Sequence, residues 1–202
     1  MKKILLFAFI LIGSLNAFSQ TYDRFFSLSY DVNQPLSNTD FIGNTSGKGF
    51  KLGYRQIINE HFLMGVDLNS ATFNDYAPRQ TYVSETGAFT SDFYRYAYTY
   101  GLTLSGDYLF FPDKRFQPFA GLGVGASYID YTQYYNIFSS SDRPWGVLIR
   151  PEAGAIVRLG KYSSWGIQGA IHYDFSSAKS TDFEYNNFMN VGFQIGVVFF
   201  SW

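Results

Sequence analysis

No cysteine occurs in these 202 residues. A disulfide framework and a thiolate-ligated metal site are therefore both excluded. Histidine is almost absent as well, with only His61 and His172, so no cluster with metal-ligand spacing forms. Charge is sparse at 15% of residues, against roughly 25% for an ordinary soluble domain. The 15 basic and 16 acidic residues leave no positive excess. A nucleic-acid binder would need one, so no nucleic-acid partner is expected. Beyond the N-terminal segment there is no apolar run of the roughly 20 residues that a membrane-spanning helix requires. No glycine-rich phosphate loop follows a strand and opens a helix, and no cofactor is expected. What the chain has instead is aromatic surface: 22 Phe and 17 Tyr, with 19 Gly. That much apolar surface argues against disorder.

The N-terminus carries an export signal. Lys2 and Lys3 precede an apolar run from Ile4 to Ile12, and small residues follow up to Ala17-Phe18-Ser19. This three-part layout predicts a signal peptide over residues 1–19, cleaved after Ser19, with a barrel domain over 20–202. Cleavage removes two lysines and leaves 13 basic against 16 acidic residues, a net charge of −3.

The remaining chain alternates in twos, as strands do. Eight segments show it: Phe26–Val32, Phe50–Tyr54, Phe62–Leu68, Tyr94–Tyr108, Ala120–Tyr128, Val147–Leu159, Trp165–Tyr173 and Val191–Phe199. One face of each is aliphatic or aromatic. The other face holds the strand charges, among them Asp31, Lys51, Arg55, Asp67, Asp107, Arg150, Glu152, Arg158 and Asp174. The connections alternate too. Ile58–Glu60, Phe111–Arg115 and Gly160–Ser163 are short, whereas Asn33–Gly49, Asn74–Asp92, Tyr131–Pro144 and Phe175–Asn187 are long. Short periplasmic turns, long extracellular loops and an even strand count are marks of a membrane barrel. Only helices and closed barrels satisfy every backbone group in lipid. The expected fold is all-β: an antiparallel up-and-down transmembrane β-barrel of eight strands with both termini periplasmic. Tyr30, Tyr54, Tyr100, Tyr108, Tyr128, Trp165 and Tyr173 stand near strand ends, where interfacial aromatics belong. Alternation alone leaves a soluble eight-stranded barrel open.

Residues Gln117-Pro118-Phe119-Ala120-Gly121-Leu122-Gly123-Val124-Gly125-Ala126 resemble the central strand of the small bacterial outer-membrane β-barrels. That family includes the OmpA transmembrane domain and the OmpX- and OmpW-like barrels. The aromatic ending Phe199-Phe200-Ser201-Trp202 is similar to their assembly signal. The resemblance implies an outer-membrane location, lipid around the barrel, and the barrel-insertion machinery as a partner that reads Phe200 and Trp202. Two departures stand out. Trp202 shares the phase of Val198 and Phe200 rather than that of the lipid-facing Ile195 and Val197. Pro151 falls mid-strand without the N–H a ladder needs, so a bulge is expected there.

The inward charges define the candidate site. Lys51, Arg55, Asp67, Asp107, Arg150, Glu152, Arg158, His172 and Asp174 are expected to form a polar network in the lumen, because confined charge must be paired. Gly121, Gly123 and Gly125 would leave room for the long side chains beside them. His172 and Asp174 near Ser176 have hydrolase residue types, but the spacing establishes no triad geometry. No catalytic residue is assigned, and the chain is not expected to be an enzyme. The expected role is structural or interactive at the cell surface, with a possible extracellular protein partner held by the loops. A narrow channel or carrier for small hydrophobic molecules is the alternative, and a lipid-modifying enzyme stands last. Protein recovered from membranes should begin at Gln20 by intact mass; a membrane-bound chain that still begins at Met1 sinks the cleavage assignment.

Overall fold

The computed structural model describes residues 24–84, 87–160 and 163–201. The expected signal peptide and Trp202 lie outside them. Nine strands follow in order: β1 (Arg24–Pro35), β2 (Ser46–Ile57), β3 (Phe62–Ser84), β4 (Gly87–Leu109), β5 (Phe116–Tyr135), β6 (Phe138–Asp142), β7 (Trp145–Arg158), β8 (Trp165–Ser176) and β9 (Phe188–Ser201). All neighbouring pairs are antiparallel, and β1 pairs with β9 from Arg24↔Ser201 to Pro35↔Asn190. That pairing closes a barrel of eight strands, with β6 as a ninth that pairs only with β5.

The period of two sets what each face meets. Leu28, Leu52, Leu68 and Leu102 are successive cross-strand partners and point outward. Above them runs a second row, Tyr30↔Phe50↔Ser70↔Tyr100↔Tyr128↔Trp145. It forms an aromatic girdle at one end of the apolar band, the position that amphipathic rings favour at a membrane interface. Exposed apolar patches on a water-soluble monomer rarely exceed a few hundred Å². Here the exposed apolar face runs right round the wall, so it is a surface made for lipid.

Strand lengths depart from expectation at the end with long connections. Asn74–Asp92, read as a loop, is mostly strand: β3 and β4 each run 23 residues, about twice what a bilayer crossing uses. Tyr131–Pro144, also read as a loop, contains the end of β5 and all of β6. Beyond the apolar band β3, β4, β5 and β6 continue as a paired ribbon. Above the membrane both faces meet water, so alternation no longer reports a strand.

The bulge expected at Pro151 is not found. Pairing with β8 lapses at Arg150 and Pro151 and resumes at Glu152↔His172 in unchanged register. The missing N–H therefore costs a local gap and not an extra residue. Register shifts occur instead between Asp31 and Asn33 and between Ala77 and Gln80. The lipid-facing assignment makes a depth-dependent prediction. Leu104, 71% exposed in the band, should cost about 2–4 kcal/mol on Leu104→Arg, against about 0–1 kcal/mol for Phe110→Arg near the interface. Urea unfolding in lipid vesicles measures both; equal costs would remove the membrane frame.

Candidate functional site

The barrel interior is built in layers. At the end with short turns, Phe25, Leu63, Leu109, Phe119, Ile156 and Phe200 pack into an apolar layer. At the opposite mouth, Phe41, Ile42, Phe73, Ile129, Tyr131 and Phe188 form a second. Phe41 and Ile42 come from the β1–β2 connection, which folds inward. Phe183 and Tyr185, from the β8–β9 connection, pack on the same layer. Between the two apolar layers lie the charges.

The first charged cluster centres on Arg55. Its guanidinium grips Asp67 through Nη1 and Nη2 at 2.7 and 2.9 Å, while Nε donates to Asp107 Oδ2 at 2.5 Å. Glu152 Oε1 stands 3.4 Å from Arg55 Nη2. Lys51 Nζ donates to Glu152 Oε2 at 2.5 Å and lies 3.6 Å from Asp67 Oδ2. Four strands, β2, β3, β4 and β7, supply these five groups. Two-pronged guanidinium–carboxylate contacts are the strong, geometrically specific kind. Ser105 Oγ donates to Asp67 and Gln194 Nε2 to Glu152, taking up further lone pairs.

The second cluster centres on Arg150, 1% exposed. Its Nη1 donates to Asp174 Oδ2 at 3.1 Å and its Nη2 to Asp31 Oδ2 at 3.3 Å. His172 stands between the same two carboxylates, with Nε2 2.9 Å from Asp31 Oδ1 and Nδ1 3.3 Å from Asp174 Oδ1. Gly121 faces Glu152 across the ladder and Gly123 faces Arg150. A Cβ at Gly121 would collide with the Asp107 carboxylate, and one at Gly192 with the His172 ring.

The structure thus brings together Lys51, Arg55, Asp67, Asp107, Arg150, Glu152, His172 and Asp174. Arg158 is a correction. It faces inward, but it lies at the apolar layer with its guanidinium 4.3 Å over the Phe200 ring, and among the described residues no ion pair engages it. Its phase is right and its depth is wrong: the end of β7 passes below the charged layers. Phe200 is buried against Phe25, with ring centroids 5.5 Å apart. Two groups were missed. Asp31 lies on the polar face of its strand, but its partners stand 119 and 141 residues away, beyond any local signal. The inward apolar layers were missed because every charge on the face drew it as polar.

The lumen is full. The free space beside Lys51, Arg55, Asp107 and Glu152 measures about 10 Å³, room for about one water. Larger apolar grooves lie on the outer wall among Leu28, Leu52 and Val197, where lipid chains would fill them. A further cavity of about 590 Å³ opens at the mouth, between the strand ribbon and the β8–β9 connection. Asp142 on β6 clamps that connection. It accepts hydrogen bonds from Ser180 Oγ at 2.6 Å and from the Thr181 amide at 2.9 Å. The Ser180 hydroxyl holds the Asp142 carboxyl below its ordinary range, helped by neighbouring backbone amides. A depressed value stabilises the clamp above the usual carboxylate range and lets it go as pH falls through the folded value.

Solved structures share this architecture. Ail, the attachment invasion locus protein of Yersinia pestis, solved with the heparin analogue sucrose octasulfate, aligns with a TM-score of 0.52. The match covers 90% of this chain and 100% of that one at 15% identity. Neisserial surface protein A aligns at 0.51, over 88% of this chain and 96% of that one, at 14% identity. The fold is that of the small outer-membrane β-barrels. No family model matches the sequence, and no curated protein does either.

Charge balance in the barrel interior orders the effects of mutation. The Arg55 cluster holds two cations and three carboxylates. Arg55→Ala leaves those three carboxylates facing Lys51 alone, and breaking a buried pair in this way costs about 3–5 kcal/mol. Glu152→Gln removes surplus negative charge and should cost clearly less. The exposed Arg143–Asp130 pair, 2.9 Å apart, should lose about 0–1 kcal/mol on Arg143→Ala. Heat-modifiable gel mobility gives the order; an Arg55→Ala barrel as heat-resistant as the parent overturns it.

Proposed function

We propose that this chain is an exported outer-membrane barrel whose lumen is sealed and whose work is done at its extracellular rim, in a structural or surface-interaction role. One observation carries the reading: two apolar layers enclose two ion clusters, and the space left beside the Arg55 cluster is no larger than about one water. An eight-stranded wall encloses just enough room for side chains, and the packing beside the Arg55 cluster supports that reading here. The rim is where the chain extends furthest, through a ribbon of four strands and two connections packed on a shared apolar layer. Surface segments of this kind on a rigid scaffold are where binding concentrates.

The proposal includes removal of residues 1–19 after Ser19, lipid around the apolar wall, and delivery by insertion machinery that reads the ending with Phe200 and Trp202. It includes a protein partner at the rim. It assigns no catalysis to His172. Both ring nitrogens face carboxylates inside the barrel, and the Ser176 hydroxyl lies 2.6 Å from that of Ser127. A channel or carrier would require both ion clusters to move together.

Planar-bilayer recording of the refolded full chain tests the seal. The expected trace is silent at all voltages the membrane survives. Steady single-channel steps from the unaltered protein would overturn the sealed lumen and favour the channel.

A further inference from the structure

The mouth cavity has an ordered lining. The strand register β4–β5–β6 lays two rows across it. In one row Phe93, Tyr135 and Phe138 follow one another with ring centroids 5.7 and 5.9 Å apart. In the adjacent row Arg95, Gln133 and Ser140 are cross-strand partners, and Arg95 Nε donates to Gln133 Oε1 at 3.1 Å. That bond fixes the amide so that its NH₂ remains as a donor beside the aromatic row. Phe183 and Asp182 close the far side, held there through the Asp142 clamp. Arg95 does not reach the cavity as a free cation: its guanidinium sits 5.5 Å from the Phe41 ring centroid and 5.7 Å from that of Phe93, and its Nη1 donates to Asp40 O.

Ligand pockets fall at roughly 300–1,000 Å³, lined by aromatic walls with a few placed polar groups, and this one measures about 590 Å³. A wall of adjoining, mutually tilted rings edged by amide, hydroxyl and carboxylate matches a ligand that is flat and apolar on its faces and polar round its rim. A pyranose ring has that form. A plain aromatic hydrocarbon lacks the polar rim, and an anionic sugar would meet Asp182 with no basic side chain among the described residues that line the cavity. We propose that this cavity is a binding site for an uncharged saccharide of one or two rings, stacked on Phe138 and Tyr135 and hydrogen-bonded by Gln133, Ser140 and Asp182. The site rests on the reading of the rim as the working surface and names the ligand class for it.

Saturation-transfer NMR on the full chain in phosphatidylcholine nanodiscs tests it, since those lipids carry no sugar. The probes are lactose, cellobiose and N,N′-diacetylchitobiose, with glucuronic acid and 1-naphthol for comparison. At least one neutral disaccharide should receive saturation on its ring C–H protons, and glucuronic acid should receive none. Phe138→Ala and Gln133→Ala should each cut the signal about fivefold or more, the scale of loss for one stacked or hydrogen-bonding anchor. Ile137→Ala, at an 84% exposed turn position that does not line the cavity, should leave it unchanged. No transfer to any of the three disaccharides overturns the proposal. So does equal transfer in Phe138→Ala, or binding of 1-naphthol alone. A silent bilayer with no sugar binding overturns this site and leaves the sealed barrel standing. Conductance overturns the sealed barrel whichever way the sugars behave.

Discussion

The closed hydrogen-bond ladder is what everything else in this molecule follows from. In the hydrocarbon of a membrane no water is present to take up an unpaired N–H or C=O, so an open sheet edge is not viable there. The pairing of β1 with β9 removes that edge. Closing at eight strands then fixes the width of the interior, and a barrel of that width is filled by side chains. The outward face must be apolar all the way round. The inward face must be filled without leaving polar groups stranded. Pro151 interrupts the ladder only locally: pairing with β8 opens for two residues at its position and closes again in register.

Filling the interior with charge is not what stability alone would select. Buried ion pairs replaced by well-packed apolar groups often leave a protein as stable or more so. The charges here do something that apolar groups cannot. Arg55 on β2 reaches carboxylates on β3, β4 and β7, and Arg150 on β7 reaches carboxylates on β1 and β8. A strand slipped by one residue turns its whole inward set to the other face. In this wall that would put Lys51, Asp67 or Asp107 into lipid, where ionised groups are costly. The clusters therefore tie the register of six strands to one arrangement. The apolar layers above and below keep water from the clusters and so keep that penalty high.

Much of this was legible in the sequence, for a definite reason. Period-two alternation is a local property, and the wall obeys it from Phe26 to Phe199. What escaped was non-local or lay off the wall. Phe25, Leu63, Leu109 and Phe200 share the inward phase with charged residues, so each strand read singly looks polar inside. The clue lay across strands, in apolar neighbours at the same end of four of them: Phe25-Phe26, Leu63-Met64, Leu109-Phe110 and Phe199-Phe200. Asp31 carried no local mark of its role, because its partners come from the far side of the closed sheet. Toward the tip of the ribbon the period still exists in the backbone, but it has lost its chemical signature, and so β6, the upper part of β3 and the first residues of β4, up to Asp92, read as loop.

With an apolar layer packed toward each end of the lumen, the barrel meets its surroundings at its rim and its wall, and the rim is built for order. A free connection of the length between β5 and β7 would lose conformational freedom on binding anything. Here that stretch is already paired to β5 from Tyr131 to Tyr135, turns at Asn136 with φ of 50°, and holds the β8–β9 connection through Asp142. The Asn38 amide ties the β1–β2 connection to the Asn187 carbonyl at 2.8 Å. The β1–β2 and β8–β9 connections also share the apolar layer that stoppers the mouth. The group that closes the barrel is therefore the group that shapes its outer surface. Phe41 and Tyr131 therefore belong at once to the packing inside the mouth and to the order of the rim, since Phe183 and Tyr185 rest on the same layer.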